Sequence, residues 1–307
     1  MGRPPGSGGA RLRADAAARN RAEAMFRSGT YFERPGTFPA KLGYSASGIV
    51  EALGDGVSGF AVGDAVSTVA GFSMRDYGVY GEAAIVPASA VLRRPEGLDA
   101  AETVALWGPF LTAYGALVDE GHVRPGDFVL ITAASSSVGL VAIDVANHIG
   151  AVPVAVTRTA AKKARLEDAG AAHVIVTDDE DVTARTLEIT GGRGAEFVFD
   201  AVAGEGVRKL AAATAKGGTL VVYGALDTKE TPFPLWFVPT MRLFNAFDLT
   251  LDPARLARAG HFVRAGVRAG TFRPRVDRTF DLDGIAAAHR YLEANGQFGK
   301  VVVTAGG

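Results

Sequence analysis

One stretch of the chain combines a strand pattern, a loop of small residues and a helix pattern. Residues 128–132 are apolar and partly β-branched, and the small residues of 133–137, AASSS, follow them directly. Over 138–149 apolar residues recur at helical spacing, and a second apolar run, 152–156, begins soon after. This order predicts strand, tight turn, helix and strand, the βαβ unit of a dinucleotide-binding sheet. The N–H groups that begin the helix would then face a pyrophosphate.

The turn matches only part of the Gly-x-Gly-x-x-Gly fingerprint of such units. Its three glycine positions hold Ala134, Ser136 and Gly139, so only the third is glycine. The third glycine allows the helix to pack closely on the strand, and the first two allow the backbone to approach the pyrophosphate. Hydroxyl groups in 135–137 could also donate to phosphate oxygens. We therefore predict a cofactor loop; the alternative is a sheet of this type whose loop has lost its ligand.

The end of the second strand predicts which dinucleotide binds. An acidic residue there would bind the ribose of NAD, whereas an arginine would accommodate the 2′-phosphate of NADP. The segment after this strand contains Thr157, Arg158 and Lys162, and no acidic residue precedes Glu167. Arginine can pair with phosphate through two hydrogen bonds, and cations are disfavoured at a helix N-terminus unless an anion joins them. The sequence therefore predicts NADPH as the cofactor; a solvated basic patch is the alternative.

The order of the predicted elements indicates two lobes. Short strand-like segments with Gly and Asp turns come first and indicate a β-rich lobe. Asp99 and Glu102 form a capping-box pattern that predicts a helix through Leu117. Strands and helices then alternate, which indicates a parallel sheet with right-handed crossovers. The predicted strands are 10–16, 48–53, 65–70, 80–86, 128–132, 152–156, 173–177, 196–200, 219–223 and 300–304, and the predicted helices of the second half are 138–149, 160–169, 181–189, 205–215, 253–268 and 283–294.

Composition excludes several classes of function. The 307 residues contain no cysteine, which excludes a disulfide framework, a thiolate nucleophile and a cysteine-ligated zinc. The net charge of −1 gives no electrostatic basis for binding nucleic acid or an anionic membrane surface. No apolar run is long enough to cross a bilayer, and the five histidines show no ligand spacing. We expect a cytoplasmic enzyme with no metal, no nucleic-acid partner and no membrane partner.

The chain resembles a known family from about residue 8 to its end. The resemblance is carried by short motifs that occur in the family's order. They are Asn20-Arg21-Ala22-Glu23, Gly29-Thr30-Tyr31, Gly43-Tyr44-Ser45-Ala46-Ser47-Gly48, Val57-x-x-Phe60-x-x-Gly63-Asp64-x-Val66, Gly78-Val79-Tyr80-Gly81-Glu82, Leu111-Thr112-Ala113, 134–139 and Phe298-Gly299-Lys300-Val301. Together they are similar to the medium-chain dehydrogenase/reductases, in the zinc-free quinone oxidoreductase and enoyl reductase branch.

The resemblance implies an α/β fold in which a Rossmann-type doubly wound parallel sheet is inserted into a GroES-like β-rich domain. The GroES-like substrate domain would comprise 1–120 and 250–307, and the Rossmann domain 121–249. The first domain would be short at its N-terminus, because the chain starts where the family has its next strand.

The same resemblance implies the catalytic residues. Zinc-bearing relatives have a cysteine where this chain has Asn20 and a histidine where it has Tyr44, so no zinc is expected. In the enoyl reductases of this branch, a tyrosine eleven residues after the asparagine donates or orients a proton, and counting from Asn20 reaches Tyr31. Asn20 would bind a substrate carbonyl or the nicotinamide ribose, and Tyr44 would face the same cleft or pack in the core.

The remaining cofactor residues come from the resemblance and from the strand ends. Thr112, Phe298 and Lys300 resemble family positions near the nicotinamide. Ligands of doubly wound sheets lie outside the carboxyl ends of the strands, which adds the residues that follow two strands. The full predicted cofactor set is Thr112, Ala134, Ser135, Ser136, Ser137, Val138, Gly139, Thr157, Arg158, Lys162, Ala201, Val202, Gly224, Phe298 and Lys300.

The function predicted from this pattern is an NADPH-dependent, metal-free reduction of a quinone or an α,β-unsaturated carbonyl. Without a metal to activate an alcohol, hydride transfer to an electrophilic acceptor is the easier reaction. The alternatives are an NADPH-binding protein without redox activity, a specialised biosynthetic enzyme and a zinc-type alcohol dehydrogenase. The apolar segment 231–249 could line the substrate cleft or form a dimer contact, and the family predicts a homodimer.

Overall fold

The computed structural model describes residues 4–237 and 239–305. Contacts divide the chain into two compact units. The first unit contains residues up to 108, 247–267 and those from 273 onwards, and the second contains 109–246 and 268–272. The first boundary of this division falls after residue 108, inside the helix Ala100–Tyr114.

The elements of the described residues are numbered in chain order. The strands are β1 (Gly9–Arg19), β2 (Ala46–Leu53), β3 (Ala65–Thr68), β4 (Ala83–Pro87), β5 (Val91–Arg93), β6 (Phe128–Ile131), β7 (Val152–Thr157), β8 (His173–Val176), β9 (Ala195–Asp200), β10 (Thr214–Val222), β11 (Thr240–Leu243), β12 (Val276–Asp281) and β13 (Lys300–Thr304). The α-helices are α1 (Arg21–Ser28), α2 (Ala100–Tyr114), α3 (Ser137–His148), α4 (Lys163–Asp168), α5 (Val182–Ile189), α6 (Gly206–Ala213), α7 (Ala246–Thr250), α8 (Pro253–Arg268) and α9 (Ile285–Glu293).

The first unit is built around β1, which runs through the middle of a seven-stranded sheet. Six of its strands follow the order β12-β13-β1-β2-β3-β5, and the seventh, β4, also pairs with β1. One edge of β1 pairs with β2, and its other edge pairs first with β4 and then with β13. The strand is longer than the predicted 10–16. Its last four residues, Ala16, Ala17, Ala18 and Arg19, are all buried, so the chain is covered on both faces just before the first helix.

The second unit is a six-stranded sheet in the order β11-β10-β9-β6-β7-β8, and all its strand pairs are parallel. From β6 the chain first adds strands on one side and then returns to add β9, β10 and β11 on the other. The loops after β6 and β9 therefore lie at the point where the strand order reverses, where doubly wound folds bind ligands. This confirms the predicted fold class, a Rossmann-type sheet with a GroES-like domain.

Apolar side chains that share one level of the second sheet form its core. Leu130 on β6 lies opposite Val154 on β7 and Val198 on β9, and Val198 lies opposite Leu220 on β10. All four side chains are fully buried. The continuous apolar strands of the sequence are thus explained by burial on both faces of a parallel sheet.

Helix ends follow the predicted capping patterns with two differences. Asp99 and Glu102 form the expected reciprocal capping box: each side chain accepts from the other's backbone N–H, at 2.7 and 2.9 Å. The helix becomes π-helical at Gly115–Asp119, and the predicted helix 160–169 begins as a 3₁₀ turn, Ala160–Lys162, before α4. No helix among the described residues is long and apolar enough to span a membrane.

The packing of α3 on β6 requires glycine at position 139. A Cβ atom there would lie 2.6 Å from the Cα of Ala134 and 2.7 Å from the carbonyl oxygen of Ala133, and neither backbone atom can move away freely. Gly206, at the start of α6, has no atom within 4 Å of the corresponding position. Both glycines lie in the first turn of a helix of the second unit, and only Gly139 is in close contact with backbone atoms outside its helix.

We predict that Gly139→Ala destabilises the protein by about 2–3 kcal/mol, the usual cost of forcing a group into a packed site. The control Gly206→Ala should be neutral or stabilising by about 0.5–1 kcal/mol, since alanine favours the helix and meets no neighbour. Urea unfolding followed by circular dichroism measures both. An equal stability of the two variants would contradict the packing argument.

Candidate functional site

The loop after β6 in the second unit forms a capped helix start. Ser136 is the N-cap of α3, and its hydroxyl oxygen accepts from the backbone N–H of Gly139 at 3.0 Å. Ala133 has a positive φ of 45°, and Ala134 is fully buried under the turn. Serine at the second glycine position of the fingerprint therefore has a local reason, because it caps the helix that glycine would leave uncapped.

The cap leaves other backbone donors at the start of α3. The first N–H groups of a helix have no acceptor within the helix, and at this end the Gly139 N–H is taken by Ser136. The N–H groups of Ser137 and Val138 are left to point out of the helix. With the positive end of the helix dipole, they make an arrangement that suits a phosphate group.

A lysine lies against this loop. Lys162, in the 3₁₀ turn that follows β7, donates from Nζ to the hydroxyl oxygen of Ser135 at 3.0 Å. Thr157 is buried at the end of β7, and Arg158 follows it with an exposed side chain. The structure thus brings Lys162 onto the phosphate loop, whereas Arg158 lies in solvent at the adjoining strand end. The hydroxyl of Ser135, a predicted cofactor residue, thus has the ammonium of Lys162 as its hydrogen-bond partner.

On one side of β6, the sheet continues with β9 and then β10. The buried carboxylate of Asp200 accepts from the Thr132 hydroxyl at 2.6 Å and from the backbone N–H groups of Val202 and Ala203 at 3.0 and 2.8 Å. Burial raises the pKa of this carboxyl, while the three hydrogen bonds oppose the rise. Asp200 therefore fixes the turn that carries Val202 and the preceding Ala201.

Gly224 allows the next strand end to approach this turn. A Cβ atom at position 224 would lie 2.8 Å from the carbonyl oxygen of Ala201. Beside it, the ring of Tyr223 stacks on Phe199 with centroids 3.9 Å apart, and burial raises the pKa of the Tyr223 phenol, an effect that the nearby Ser136 hydroxyl opposes. Sequence reasoning did not select Tyr223; its position as the last residue of the predicted strand 219–223 was the available signal.

The predicted catalytic residues belong to the first unit, and Asn20 is held there at both ends of its amide. Its Nδ2 donates to one carboxylate oxygen of Glu23 at 2.8 Å, and its backbone N–H donates to the other at 2.7 Å. Its Oδ1 accepts from Nζ of Lys300 at 2.5 Å. The register explains this contact, because Arg19 on β1 lies opposite Val301 on β13, which places Asn20 next to Lys300.

Lys300 is a buried cation in this arrangement. Its side chain is only 4% exposed, and burial lowers its pKa to about 8, with Glu23 opposing and Arg19 reinforcing the change. Phe298, two residues earlier, is also buried. A lysine with a pKa near 8 can hold a proton at neutral pH and release it at little cost, which an ordinary surface lysine does not do.

Tyr31 and Tyr44 form the centre of an aromatic group in the first unit. Their ring centroids lie 6.5 Å apart, and Phe247 packs edge-on against Tyr44 at 5.6 Å. Burial raises the pKa of Tyr31 to about 12 and that of Tyr44 further still. Both phenols are therefore neutral near pH 7 and can donate hydrogen bonds. Tyr31 is partly exposed and Tyr44 is buried, so Tyr31 has the better access.

The positions that hold zinc ligands in relatives have other partners here. The amide of Asn20 is occupied by Glu23 and Lys300, and Tyr44 is a buried phenol. Within residues 4–237 and 239–305, no group of three or more His, Asp or Glu side chains is placed to hold a metal ion. Thr112 lies half-buried on α2, in the second unit.

Sequence reasoning missed two buried charges in the first unit. Glu23 is fully buried and holds Asn20, although the sequence showed it only as part of a motif. Arg19 is 1% exposed, and the available signal was a single charged residue directly after the alanine run 16–18.

Two family models match the chain. Residues 6–96 match the alcohol dehydrogenase GroES-like domain, and residues 169–303 match the zinc-binding dehydrogenase model. The two matches fall on the β-rich start of the chain and on its α/β and C-terminal parts, in the order that the fold shows.

Individual proteins are similar over nearly the whole chain. A 2-haloacrylate reductase from Burkholderia sp. is 28% identical over 97% of this chain and 91% of its own length. A quinone oxidoreductase from Pongo abelii is 26% identical over 92% of this chain and 85% of its own. A mycobacterial protein solved in complex with NADPH is 27% identical, with a TM-score of 0.89 over 99% of this chain and 94% of that one. The chain belongs to the medium-chain dehydrogenase/reductase superfamily, in its zinc-free quinone oxidoreductase and enoyl reductase-like branch.

Proposed function

We propose that the protein is an NADPH-dependent oxidoreductase that delivers hydride to a quinone or an α,β-unsaturated carbonyl without a metal. The observation that carries the proposal is the Asn20 amide, held between the Glu23 carboxylate and the Lys300 ammonium where zinc-bearing relatives have a ligand. The names of the two similar reductases support it, since both indicate electron-poor acceptors.

The residues of the first unit suit the reduction of a conjugated carbonyl. Bound NADPH would supply the hydride. When hydride adds to such an acceptor, an electron pair moves onto the carbonyl oxygen, and hydrogen-bond donors stabilise the charge that develops there. Tyr31 is a neutral donor because its pKa is about 12, and Lys300 is a cationic donor next to Asn20. Tyr44 packs against Tyr31, with the ring centroids 6.5 Å apart, and is a second neutral phenol of this group.

The direct test is a steady-state assay with purified protein. We expect NADPH absorbance to fall when a quinone or an enone is added, with a turnover on the order of 1 s⁻¹ or faster for a good acceptor. A simple alcohol with NADP⁺, with or without added zinc, should give no reaction. If calorimetry shows NADPH binding while every acceptor of a broad panel stays unreduced, a non-redox binding role replaces the proposal.

The second unit supports NADPH as the cofactor. The helix start at Ser137 and the ammonium of Lys162 on Ser135 suit the phosphates. Between the end of β7 and Glu167 there is no acidic residue that could bind the 2′-hydroxyl of NAD. We place Arg158 and Lys162 at the 2′-phosphate. Thr112, Ala201, Val202 and Gly224 would line the rest of the dinucleotide, and Phe298 and Lys300 would lie near the nicotinamide.

We predict that Arg158→Glu weakens NADPH binding by about 10- to 100-fold, the loss of a charge-assisted phosphate contact together with new repulsion. NADH, which lacks the 2′-phosphate, should change by no more than about threefold. Lys216→Glu is the matched charge reversal, since Lys216 is exposed at the opposite end of β10. Fluorescence titration gives the dissociation constants, and equal losses for NADPH and NADH would disprove the assignment.

The edge of the second sheet supports a homodimer. β11 is an outer strand of that sheet. Large apolar side chains on this strand or shortly before it in the chain are exposed: Phe233 at 72%, Leu235 at 75%, Trp236 at 88% and Leu243 at 79%. Single exposed apolar residues are ordinary, whereas a group of four next to an unpaired strand edge marks an interaction surface.

We predict a dimer in sedimentation velocity at micromolar protein and a monomer for Trp236→Arg, because a charge there would be buried unpaired in the contact. Val62→Arg is the control, since Val62 is similarly exposed, at 66%, but belongs to the first unit. A wild-type monomer would disprove this contact.

A further inference from the structure

Phe32 is an exposed aromatic side chain of the first unit that the proposed function does not use. The side chain is 73% exposed. It nevertheless contacts two other rings of the same unit: Tyr31, with the ring centroids 4.3 Å apart, and Phe247, edge-on at 5.8 Å. Single exposed apolar residues are ordinary on a protein surface. Phe32 differs from them because its ring is held by neighbours while most of its surface stays open.

Phe32 is the outer end of the aromatic group around Tyr31 and Tyr44. At the inner end, Tyr44 contacts Phe72, with the ring centroids 5.5 Å apart, and both side chains are buried. Tyr31 and Phe247, which contact Tyr44, are partly exposed. Exposure thus increases along the group, from Tyr44 and Phe72 to Phe32. The ring contacts form a continuous series that begins in the core and ends in solvent next to Tyr31.

Hydrogen bonds hold the chain on both sides of Phe32. Before it, the backbone N–H of Tyr31 donates to the Met25 carbonyl oxygen at 3.2 Å. After it, the Glu33 carboxylate accepts from the backbone N–H of Met74 at 3.1 Å. Successive side chains of an extended strand point to opposite faces, but the chain bends here, and the rings of Tyr31 and Phe32 lie against each other. The Phe32 ring is therefore in place before a ligand binds, which lowers the entropic cost of binding.

We propose that Phe32 determines substrate specificity by providing an aromatic surface for the ring of a planar acceptor. The protein then favours acceptors with an aromatic ring fused or joined to the reduced carbonyl group over acyclic enones. This inference rests on the proposed function, in which the Tyr31 phenol donates to the carbonyl oxygen of the acceptor. An acceptor bound in this way has its carbonyl group at Tyr31 and its ring on Phe32.

The spacing of the two side chains fits such an acceptor. Their ring centroids are 4.3 Å apart, which is less than the length of a fused two-ring molecule, so one such molecule can reach both. Aromatic pairs with centroids about 4.5–7 Å apart are stabilised beyond the burial of their area. An acyclic enone can accept from the Tyr31 phenol but has no ring to pair with Phe32. The two classes of acceptor therefore differ by one aromatic pair.

The kinetic test compares naphthoquinone with the acyclic enone methyl vinyl ketone. Phe32→Leu keeps an apolar side chain and removes the flat ring. The KM for naphthoquinone should rise about 3- to 10-fold, the size of one aromatic pair contact. The kcat should stay unchanged, because the ring contact is the same in the ground state and the transition state. The KM for methyl vinyl ketone should not change, and Phe32→Trp, which keeps an aromatic face, should retain the wild-type KM for naphthoquinone.

Phe38→Leu is the matched control. Phe38 is also an exposed phenylalanine of the first unit, at 83%, and it has no aromatic ring contact within residues 4–237 and 239–305. This variant should leave both KM values unchanged. Substitutions at exposed positions usually change stability little, so we expect both leucine variants to melt at the wild-type temperature.

Equilibrium dialysis of naphthoquinone without NADPH repeats the comparison independently of turnover. Phe32→Leu should bind naphthoquinone more weakly than the wild type and Phe38→Leu by the same factor as in the kinetic test. Equal affinities of the three proteins would overturn the proposal, as would no binding to the wild type or an equal rise of KM for both acceptors. If naphthoquinone binds through Phe32 but no acceptor is reduced, the proposed function is refuted and the ring contact stands.

Discussion

The buried carboxylate of Glu23 is the interaction on which the first unit depends. It accepts from the backbone N–H and the amide of Asn20, and it also accepts weakly from the backbone N–H of Tyr44 at 3.3 Å. A carboxylate without exposure to water needs such donors and nearby cations, and Lys300 and Arg19 supply the positive charge. Glu23 thus completes the capping box at the start of α1 and orients the Asn20 amide next to Lys300.

In the second unit, the loop that is predicted to bind phosphate has serine at a position where the Gly-x-Gly-x-x-Gly fingerprint has glycine. Ser136 caps α3, and Ser135 accepts a hydrogen bond from Lys162. Of the three fingerprint positions, only 139 requires a residue without a side chain. The cap takes one helix donor, and the lysine adds one positive charge. The loop therefore has one fewer backbone N–H group for a phosphate. In return, the start of α3 is capped, and the ammonium of Lys162 already lies against the loop.

The sequence predicted the architecture well because that prediction rests on burial patterns and turn chemistry. The βαβ order, the Asp99 capping box and the place of Gly139 follow from local sequence, and the structure has them all. The extension of β1 to Arg19 and the 3₁₀ turn before α4 do not follow, because both depend on tertiary contacts. The site was predicted in part. Asn20 and Lys300 were selected separately, but their contact depends on the register of β1 with β13, and the charge of Arg19 on Tyr80 depends on packing that no motif encodes.

The glycine at position 43 has a consequence for how such a chain can evolve. Any side chain at this position would require a smaller residue than Tyr80, and a smaller residue there would leave Arg19 without its aromatic ring. Positions 19, 43 and 80 lie far apart in sequence and form one dependent set. Among related chains, substitutions at these three positions should therefore appear together, and each single change would pass through an intermediate that is less stable than either end point.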